Sequence, residues 1–543
     1  MDNGLVMIRR GFRMEVGTAP GHSFDSIFSG NTTEICPVGA LTAASYRFKA
    51  RPWELHHTAS VCNNCSVGCN ARIDTRVDKI MRLMSRANDD IDDGWLCNRG
   101  RWDFEFVNSP QRIRTPYIRR NGNLTPASWD EAFYFIASRL QEIISKHGAQ
   151  AVAGIGSTRT TNEEAYLFQK LLREVIGTPN IDHHHGHFPG PRDALTGRPW
   201  MMTNSIAEIE KASHIVLIAS DPYQRQPILN LRIKKAMKGG AKIYIVNSDK
   251  TELDRFAALK ITIPTHTAGL AAKVLLRNAL AALKDRGETT DRVPAVSKVD
   301  TSALSAESNA QLQQLANEIV GAKGAIILYD EMATLEPDCQ DLAADLQALA
   351  VATNNIGRPG TGVGPLFEDA NSLGARDMGL LPDTLPGYKP VNQPGLSYEQ
   401  ILSSPQIKAL LVMGANPVRH LTNSQLPSTL ELIVVQDITL TETAQQADVV
   451  LPAVTFAEKE GSMTNVDHHV QAIRRALRPL PGAKADWEIL MALARHLGKP
   501  WSYSGPRDIL LEIADSNPFY AGLTWEDLGE QGVRTHEQEV AHA

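Results

Sequence analysis

Four cysteines, Cys62, Cys65, Cys69 and Cys97, are the residues whose spacing most directly indicates chemistry. The first three form a CxxCxxxC run, and the fourth follows after 27 intervening residues. A cuboidal iron–sulfur cluster takes one thiolate per iron, so a tight run can hold three corners while a later loop holds the fourth. The spacing therefore predicts a 4Fe-4S cluster. A structural zinc ion, which more often uses two CxxC pairs, is the alternative, together with unligated thiols.

The residues around these cysteines predict local structure that could position them. Asn63, Asn64 and Gly68 favour irregular backbone that can direct amide hydrogens at sulfur. Residues 71–83 alternate between apolar and polar side chains, as the strands of a β-hairpin do. Such a hairpin would return the chain to Cys97, so that the fourth thiol can meet the other three.

Composition narrows the classes of protein to which this chain can belong. The 543 residues carry a formal net charge of -6, which gives no basic surface for nucleic acid. Six cysteines in so long a chain are too few for a disulfide scaffold and indicate a reducing compartment. No apolar run approaches the length of a membrane span, so membrane association is expected only through partner subunits.

Most of the chain repeats one pattern, in which a short apolar run ends in a polar loop and an amphipathic segment follows. This pattern predicts an α/β fold with parallel sheets and helical crossovers, whose ligand sites lie at the carboxyl ends of the strands. The five clearest apolar runs are residues 214–218, 241–246, 325–329, 409–413 and 432–435.

Several motifs, in this order along the chain, resemble those of the molybdopterin oxidoreductase superfamily. The resemblance covers essentially the whole chain and implies stacked, doubly wound parallel sheets with a small amino-terminal iron–sulfur domain. Besides the cysteines, the matching motifs are Gly100-Arg101, residues 355–362, Asp377-Met378-Gly379, residues 385–388, residues 414–417, residues 447–452 and Glu460-Gly461.

The resemblance also predicts the domain organisation. Residues 1–55 would be the remnant of a ferredoxin-like domain, and residues 56–112 the 4Fe-4S domain. A first α/β domain would be built from residues 113–205 and from return segments at 341–500. Residues 206–340 would form a dinucleotide-binding-like α/β domain, and residues 501–543 a carboxyl-terminal extension. We expect the barrel that closes over the pterin in related dehydrogenases to be absent.

The segment from Ser29 to Thr42 resembles the large iron–sulfur subunit of NADH-quinone oxidoreductase, respiratory complex I. It contains Cys36-Pro37, and Cys-Pro also closes bacterial ferredoxin motifs. The resemblance implies that Cys36 ligates a second 4Fe-4S cluster. Its other ligands would have to come from a partner or from upstream sequence, because the chain resembles an amino-terminally truncated member of that branch. Without them, Cys36 would be a buried thiol. Fused formate dehydrogenases share this segment.

By comparison with formate dehydrogenases, the set of residues that would support molybdenum chemistry looks incomplete. Those enzymes bind the metal through a cysteine or selenocysteine in a segment that corresponds here to residues 180–191, which contain no cysteine. Arg99 stands where relatives use a lysine between the cluster and the pterin, and an arginine cannot relay protons. We therefore expect molybdopterin guanine dinucleotide to be lost, although the scaffold allows it.

Four histidines, His183, His184, His185 and His187, could bind a transition metal or an anion. No cysteine lies beside them, and Asp182 is the only neighbouring carboxylate. We interpret them as a polar loop over the former cofactor cleft, and their role stays open.

Together these patterns predict an electron-transfer subunit of NADH-quinone oxidoreductase, a quinone-reducing translocase of the respiratory chain. The chain would have no catalytic residues of its own, because NADH oxidation and quinone reduction would take place on other subunits, including flavin and iron–sulfur subunits. It would be cytoplasmic and peripheral on the inner face of the cell membrane. The alternative is the catalytic subunit of a molybdenum-dependent formate dehydrogenase. A third hypothesis is a structural assembly subunit whose cluster lies off the main electron route.

Overall fold

The computed structural model describes residues 4–183, 202–289, 293, 296, 299–336 and 338–535. These residues form twenty strands in five sheets. The strands are β1 (Val6–Ile8), β2 (Glu15–Gly17), β3 (His56–Val61), β4 (Asn70–Arg76), β5 (Lys79–Ser85), β6 (Tyr117–Arg120), β7 (Asn123–Pro126), β8 (Val152–Gly156), β9 (Ile181–His183), β10 (His214–Ile218), β11 (Lys242–Asn247), β12 (Leu259–Thr262), β13 (Ala325–Asp330), β14 (Gly362–Leu366), β15 (Ala409–Met413), β16 (Leu432–Asp437), β17 (Val449–Pro452), β18 (Gly461–Thr464), β19 (His469–Ile473) and β20 (Val533–Arg534).

Fourteen α-helices are found in the described part of the chain, and the longer ones connect or cover the strands. The helices are α1 (Asn31–Ile35), α2 (Asn98–Trp102), α3 (Trp129–His147), α4 (Asn162–Lys170), α5 (Pro222–Arg225), α6 (Pro227–Lys238), α7 (Ala268–Asp285), α8 (Ala306–Gly321), α9 (Leu342–Ala352), α10 (Ser372–Asp377), α11 (Tyr398–Ser403), α12 (Glu442–Gln446), α13 (Asp486–His496) and α14 (Pro506–Ser516).

A five-stranded, all-parallel sheet has the strand order β12-β11-β10-β13-β14. Its central strands are apolar and buried along almost their whole length, as expected for a parallel sheet covered by helices on both faces. Helix α9 and strand β14 belong to this unit, because β14 pairs with β13. The unit therefore continues past residue 340, where the sequence analysis placed its end.

A second sheet has seven strands in the order β7-β6-β17-β16-β15-β8-β9. Five of them are parallel, and the β6–β7 hairpin adds an antiparallel edge. Its strands come from two distant parts of the chain, since β8 and β9 precede the five-stranded unit and β15 to β17 follow it. The predicted α/β fold with doubly wound parallel sheets is confirmed.

Each parallel sheet has a point where the strand order reverses, between β10 and β13 in one and between β8 and β15 in the other. Loops at such a point diverge and leave a crevice outside the carboxyl ends of the strands. Thr158 and Arg159, which follow β8, both donate hydrogen bonds to Asp369, which follows β14, over 2.7 and 2.8 Å. These contacts bring the carboxyl edges of the two sheets together.

The predicted iron–sulfur domain is a three-stranded antiparallel sheet, β3-β4-β5, that precedes both parallel sheets. A third small sheet, β18-β19-β20, carries the end of the described chain back toward this domain. Among the described residues, no helix is both long enough and apolar enough to cross a membrane.

Candidate functional site

The four predicted ligands meet in one buried cluster of side chains. Cys62, Cys65 and Cys69 lie in the loop that joins β3 to β4, and Cys97 is the residue before α2. Each of the four is at most 5% exposed. The backbone N–H of Cys62 donates to the carbonyl of Cys69 over 2.9 Å, which closes the loop at the end of the β3–β4 ladder.

Donors and a glycine surround the sulfur atoms. The backbone N–H of Gly100 donates to Cys97 Sγ over 3.4 Å, and Asn64 Nδ2 donates to Cys62 Sγ over 3.7 Å. A Cβ atom on Gly100 would lie 3.1 Å from Cys62 Sγ, so a side chain there would press on the site. Donors of this kind stabilise negative charge on thiolate ligands and adjust the reduction potential of a cluster.

As free thiols, three of these cysteines, Cys62, Cys69 and Cys97, would hold their protons more tightly than exposed cysteines do. Burial, followed by the neighbouring Cys97 and Cys65, raises the pKa of Cys62 to about 12. Burial also raises the pKa of Cys69 and of Cys97. Buried thiols packed together gain little from one another, whereas a metal replaces their protons and stabilises the thiolates. The donor set therefore fits a metal centre.

The arrangement also bears on which metal centre it is. A tetrahedral zinc holds its thiolates about 2.3 Å from a single centre. A cuboidal cluster instead takes one thiolate per iron, which spreads the sulfurs. The spacing of the four cysteines, a CxxCxxxC run with one distant cysteine rather than two CxxC pairs, favours the cluster over zinc.

The cluster site is joined to the carboxyl edge of the five-stranded sheet. Ser66 Oγ, in the cysteine loop, donates to the carbonyl of Phe367 over 2.6 Å, directly after β14. Arg99, in α2, donates to the carbonyl of Arg225 over 2.7 Å. Its guanidinium also interacts with the side chain of Cys65. Arg99 therefore does lie between a predicted cluster ligand and the crevice, as its place in the sequence indicated.

Charged side chains are concentrated at this edge. Arg225 pairs with Asp330 and with Glu368, each over 3.2 Å. Burial raises the pKa of Asp330 to about 6, although Arg225 opposes that shift. The fully buried Arg376 pairs with Glu331 over 2.6 Å. Sequence reasoning missed these pairs, because each joins segments that lie far apart in the chain.

Two buried polar side chains without hydrogen-bond partners bear on whether this edge can bind a polar cofactor. Ser220 Oγ, just after β10, and both side-chain polar atoms of Asn230 have no hydrogen-bond partner among the described residues. Buried polar groups are normally paired, so these atoms are suited to hold a ligand such as a pterin dinucleotide. The sequence has no cysteine between Cys97 and Cys339, however, so a metal held there would need a ligand other than thiolate.

The predicted histidine loop is described only in part. His183 is buried in β9, next to Asp182, whose carboxylate accepts a hydrogen bond from the backbone N–H of His183 over 2.8 Å. His184, His185 and His187 lie outside the described residues.

Cys36 is partly exposed, whereas the other four predicted ligands are buried, so the expectation of a buried thiol in the chain without a partner was wrong. Backbone N–H groups of Leu41, Ala40, Val38 and Gly39 donate toward its sulfur and lower the pKa of Cys36. This loop therefore favours a thiolate. Exposed apolar side chains are concentrated in the same amino-terminal part; those more than 80% exposed are Phe12, Val38, Phe48 and Trp53.

Two further buried ionic groups lie beside the carboxyl edge of the seven-stranded sheet. Lys459 Nζ bonds to both carboxylate oxygens of Glu164, over 2.9 and 2.7 Å, and to Asp486 over 3.2 Å. Glu163 accepts hydrogen bonds from the backbone N–H and the hydroxyl of Ser462, each over 2.8 Å. Burial raises the pKa of Glu163 to about 7.

Replacing Glu163 with glutamine should change how stability depends on pH. The native state keeps the Glu163 proton up to about pH 7, whereas the unfolded chain loses it near pH 4.5. Stability contributed by the protonated form is therefore present at low pH and is lost as pH rises through this window. We expect Glu163→Gln to stabilise the protein relative to wild type by roughly 1–3 kcal/mol at pH 8 and by much less at pH 5.

Thermal unfolding midpoints of both proteins at pH 5 and pH 8 would measure this difference. A difference between variant and wild type that is the same at both pH values would contradict the raised pKa.

Fold and site together define a class: iron–sulfur proteins in which a four-cysteine domain precedes two α/β units with a shared crevice. Matches to family models agree with this class of protein. Residues 112–496 match the molybdopterin oxidoreductase model, residues 55–109 the molybdopterin oxidoreductase Fe4S4 domain, and residues 2–42 the ferredoxin-like domain of NADH-quinone oxidoreductase subunit 3. The chain belongs to the molybdopterin oxidoreductase family.

Several of the curated relatives of this chain are formate dehydrogenases. F420-dependent formate dehydrogenase 1 subunit alpha of Methanococcus maripaludis is 33% identical over 88% of this chain and 76% of that protein. Putative formate dehydrogenase YrhE of Bacillus subtilis is 32% identical over 87% of this chain. The chain spans only 52% of that second relative.

A solved structure shares the fold. Acetylene hydratase from Pelobacter acetylenicus matches 87% of this chain and 73% of its own, with a TM-score of 0.61 and 15% identity. At that identity the likeness concerns the fold alone.

Proposed function

We propose that this chain is the cluster-bearing subunit of a formate-dehydrogenase-type oxidoreductase. The observation that carries the proposal is the pair of contacts from the cysteine site to the carboxyl edge of the five-stranded sheet, through Ser66 and Arg99. Relatives that are formate dehydrogenases support the same class. A redox reaction in the crevice would thus lie beside the cluster that carries its electrons away.

In such an enzyme the oxidation of formate to carbon dioxide releases one proton and two electrons, and a metal–pterin cofactor supplies this chemistry when bound. The residues of this chain would bind and position. Ser220 and Asn230 would offer hydrogen bonds to the cofactor. The four cysteines would hold the cluster, which passes electrons one at a time.

A second candidate is the electron-transfer subunit of NADH-quinone oxidoreductase, without an active site of its own. Two observations favour it: the match of residues 2–42 to a ferredoxin-like domain of that complex, and the lack of cysteine between Cys97 and Cys339. In this case the chain would be held at the inner face of the cell membrane by partner subunits.

Both candidates call for an iron–sulfur partner at the amino-terminal part. The amide-lined loop around Cys36 and the exposed apolar side chains near it support such a partner, because large apolar patches are usually covered by another chain. The partner or upstream sequence would supply the remaining ligands of a second 4Fe-4S cluster, to which Cys36 contributes one.

Metal analysis and a formate assay separate the two candidates. The complex purified anaerobically from its native host, with its partners, is assayed for iron, molybdenum and tungsten and for formate-dependent dye reduction. The proposal predicts stoichiometric molybdenum or tungsten and formate-dependent reduction that is lost when the metal is withheld during growth. Iron without either metal, together with no formate turnover, would overturn it and support the second candidate.

A further inference from the structure

Asp92 is a buried carboxylate beside the cysteine site that sequence reasoning did not single out. It lies between β5 and α2 and is 1% exposed. Its two oxygens accept hydrogen bonds from three backbone N–H groups: Asn70 over 2.8 Å, Asn88 over 3.1 Å and Gly94 over 2.8 Å.

These three bonds join the two segments that carry the cysteines. Asn70 directly follows Cys69, and Gly94 lies three residues before Cys97. Asn88 reinforces the connection, since its side chain also donates to Asn70 Oδ1 over 3.3 Å. The Asp92 carboxylate therefore fixes the third cysteine of the tight run relative to the fourth cysteine.

The charge of Asp92 also acts on Cys69, one of the predicted cluster ligands. The pKa of Cys69 is raised by burial, then by Cys62, and then by Asp92. Burial raises the pKa of Asp92 itself to about 6, while the three amide donors oppose that shift. Acceptance of three backbone N–H hydrogen bonds favours the ionised form of this carboxylate. The charge of Arg86 also opposes that shift, and no ion pair between Arg86 and Asp92 is found among the described residues.

We propose that Asp92 is a positioning residue for the cluster and that its buried negative charge holds the cluster at a lower reduction potential. Reduction adds an electron to the cluster, and a fixed negative charge nearby opposes that addition because the surroundings screen it poorly. The proposal rests on the cluster assignment within the proposed function and does not depend on formate chemistry.

The test compares Asp92→Asn with Asp93→Asn in the otherwise intact chain. Asparagine keeps the size of aspartate and removes its charge. Asp93 is a matched control, because it is the adjacent residue, is partly exposed, pairs with Lys235 and has a φ of +52°, which asparagine tolerates. Potentials would be measured by chemical titration followed by electron paramagnetic resonance at pH 7.5.

We expect Asp92→Asn to shift the potential to a more positive value. The ratio of reduced to oxidised cluster at a fixed ambient potential should rise about tenfold, which is about 59 mV for a one-electron couple. Asp93→Asn should leave the ratio within twofold of wild type. A purely structural role would lower the cluster content without moving the potential of the clusters that remain.

Positioning is tested separately by Asp92→Ala, which removes both acceptor oxygens and with them all three hydrogen bonds, and should lower iron content severalfold. If Asp92→Asn incorporates little iron, the reduction potential can still be measured on the fraction of protein that carries a cluster. Asp92→Ser provides a second neutral variant. An unchanged potential in a loaded neutral variant would overturn the electrostatic part of the proposal. Full iron content in Asp92→Ala would overturn the positioning part. Wild type without iron would instead refute the cluster assignment itself.

Discussion

Replacing Cys65 with serine should remove the iron–sulfur cluster almost completely. Wild-type protein prepared anaerobically is expected to contain close to four irons and to show a 4Fe-4S signal on reduction. Cys65 is buried, and a serine there cannot supply the thiolate that the iron takes. Iron content should fall below about one per chain in Cys65→Ser, as measured by metal analysis and electron paramagnetic resonance.

Cys339→Ser is the matched control for this experiment. Cys339 is also buried, but its sulfur accepts a hydrogen bond from the backbone N–H of Gly269 over 3.2 Å, far along the chain from the other cysteines. Its replacement should leave the iron content unchanged. One bound zinc and no iron in the wild-type protein would show that the site is structural.

Replacing Lys459 with methionine should destabilise the protein more than any surface substitution. Lys459 is the cation that bonds to both Glu164 and Asp486, and all three side chains are at most 6% exposed. Its removal would leave two buried carboxylates without a counter-charge. Breaking a buried ion pair from one side costs about 3–5 kcal/mol, which should appear as a large fall in the thermal midpoint.

Two further variants give this experiment its controls. Lys146→Met makes the same change at an exposed position in α3 and should have little effect. Adding Glu164→Gln to Lys459→Met removes one of the stranded charges and should recover part of the lost stability. Equal midpoints for Lys459→Met and Lys146→Met would contradict the role assigned to the buried group.

The parts of this molecule that sequence could predict are those with local signals. The β4–β5 hairpin and the alternation of apolar strands with helices both have short spacing, and both were confirmed in the structure. The cysteine run is equally local, and its role as a set of cluster ligands stays a prediction. The extent of the five-stranded unit was harder to predict, because β14 is a short, glycine-containing strand whose identity depends on pairing with β13.

Side-chain partnerships across the fold could not be predicted from a single sequence. Lys459 and Glu164 are 295 residues apart, and Arg112 and Glu458, which form another buried pair, are 346 apart. Nothing in the local pattern distinguishes such a residue from an ordinary exposed charge. Asp92 was missed for a different reason: it lies in a run of acidic residues that reads as a solvated loop.

The end of the described chain returns to the cysteine domain, and this contact sets an order of events during synthesis. Asn70 and Asn88 donate to the carbonyls of Glu530 and Gln531, over 3.2 and 3.1 Å. Glu530 lies 433 residues after Cys97 in the sequence. At about 5–20 residues per second, a ribosome needs tens of seconds to synthesise that stretch. The cysteine domain therefore lacks these two hydrogen bonds until translation has passed residue 531.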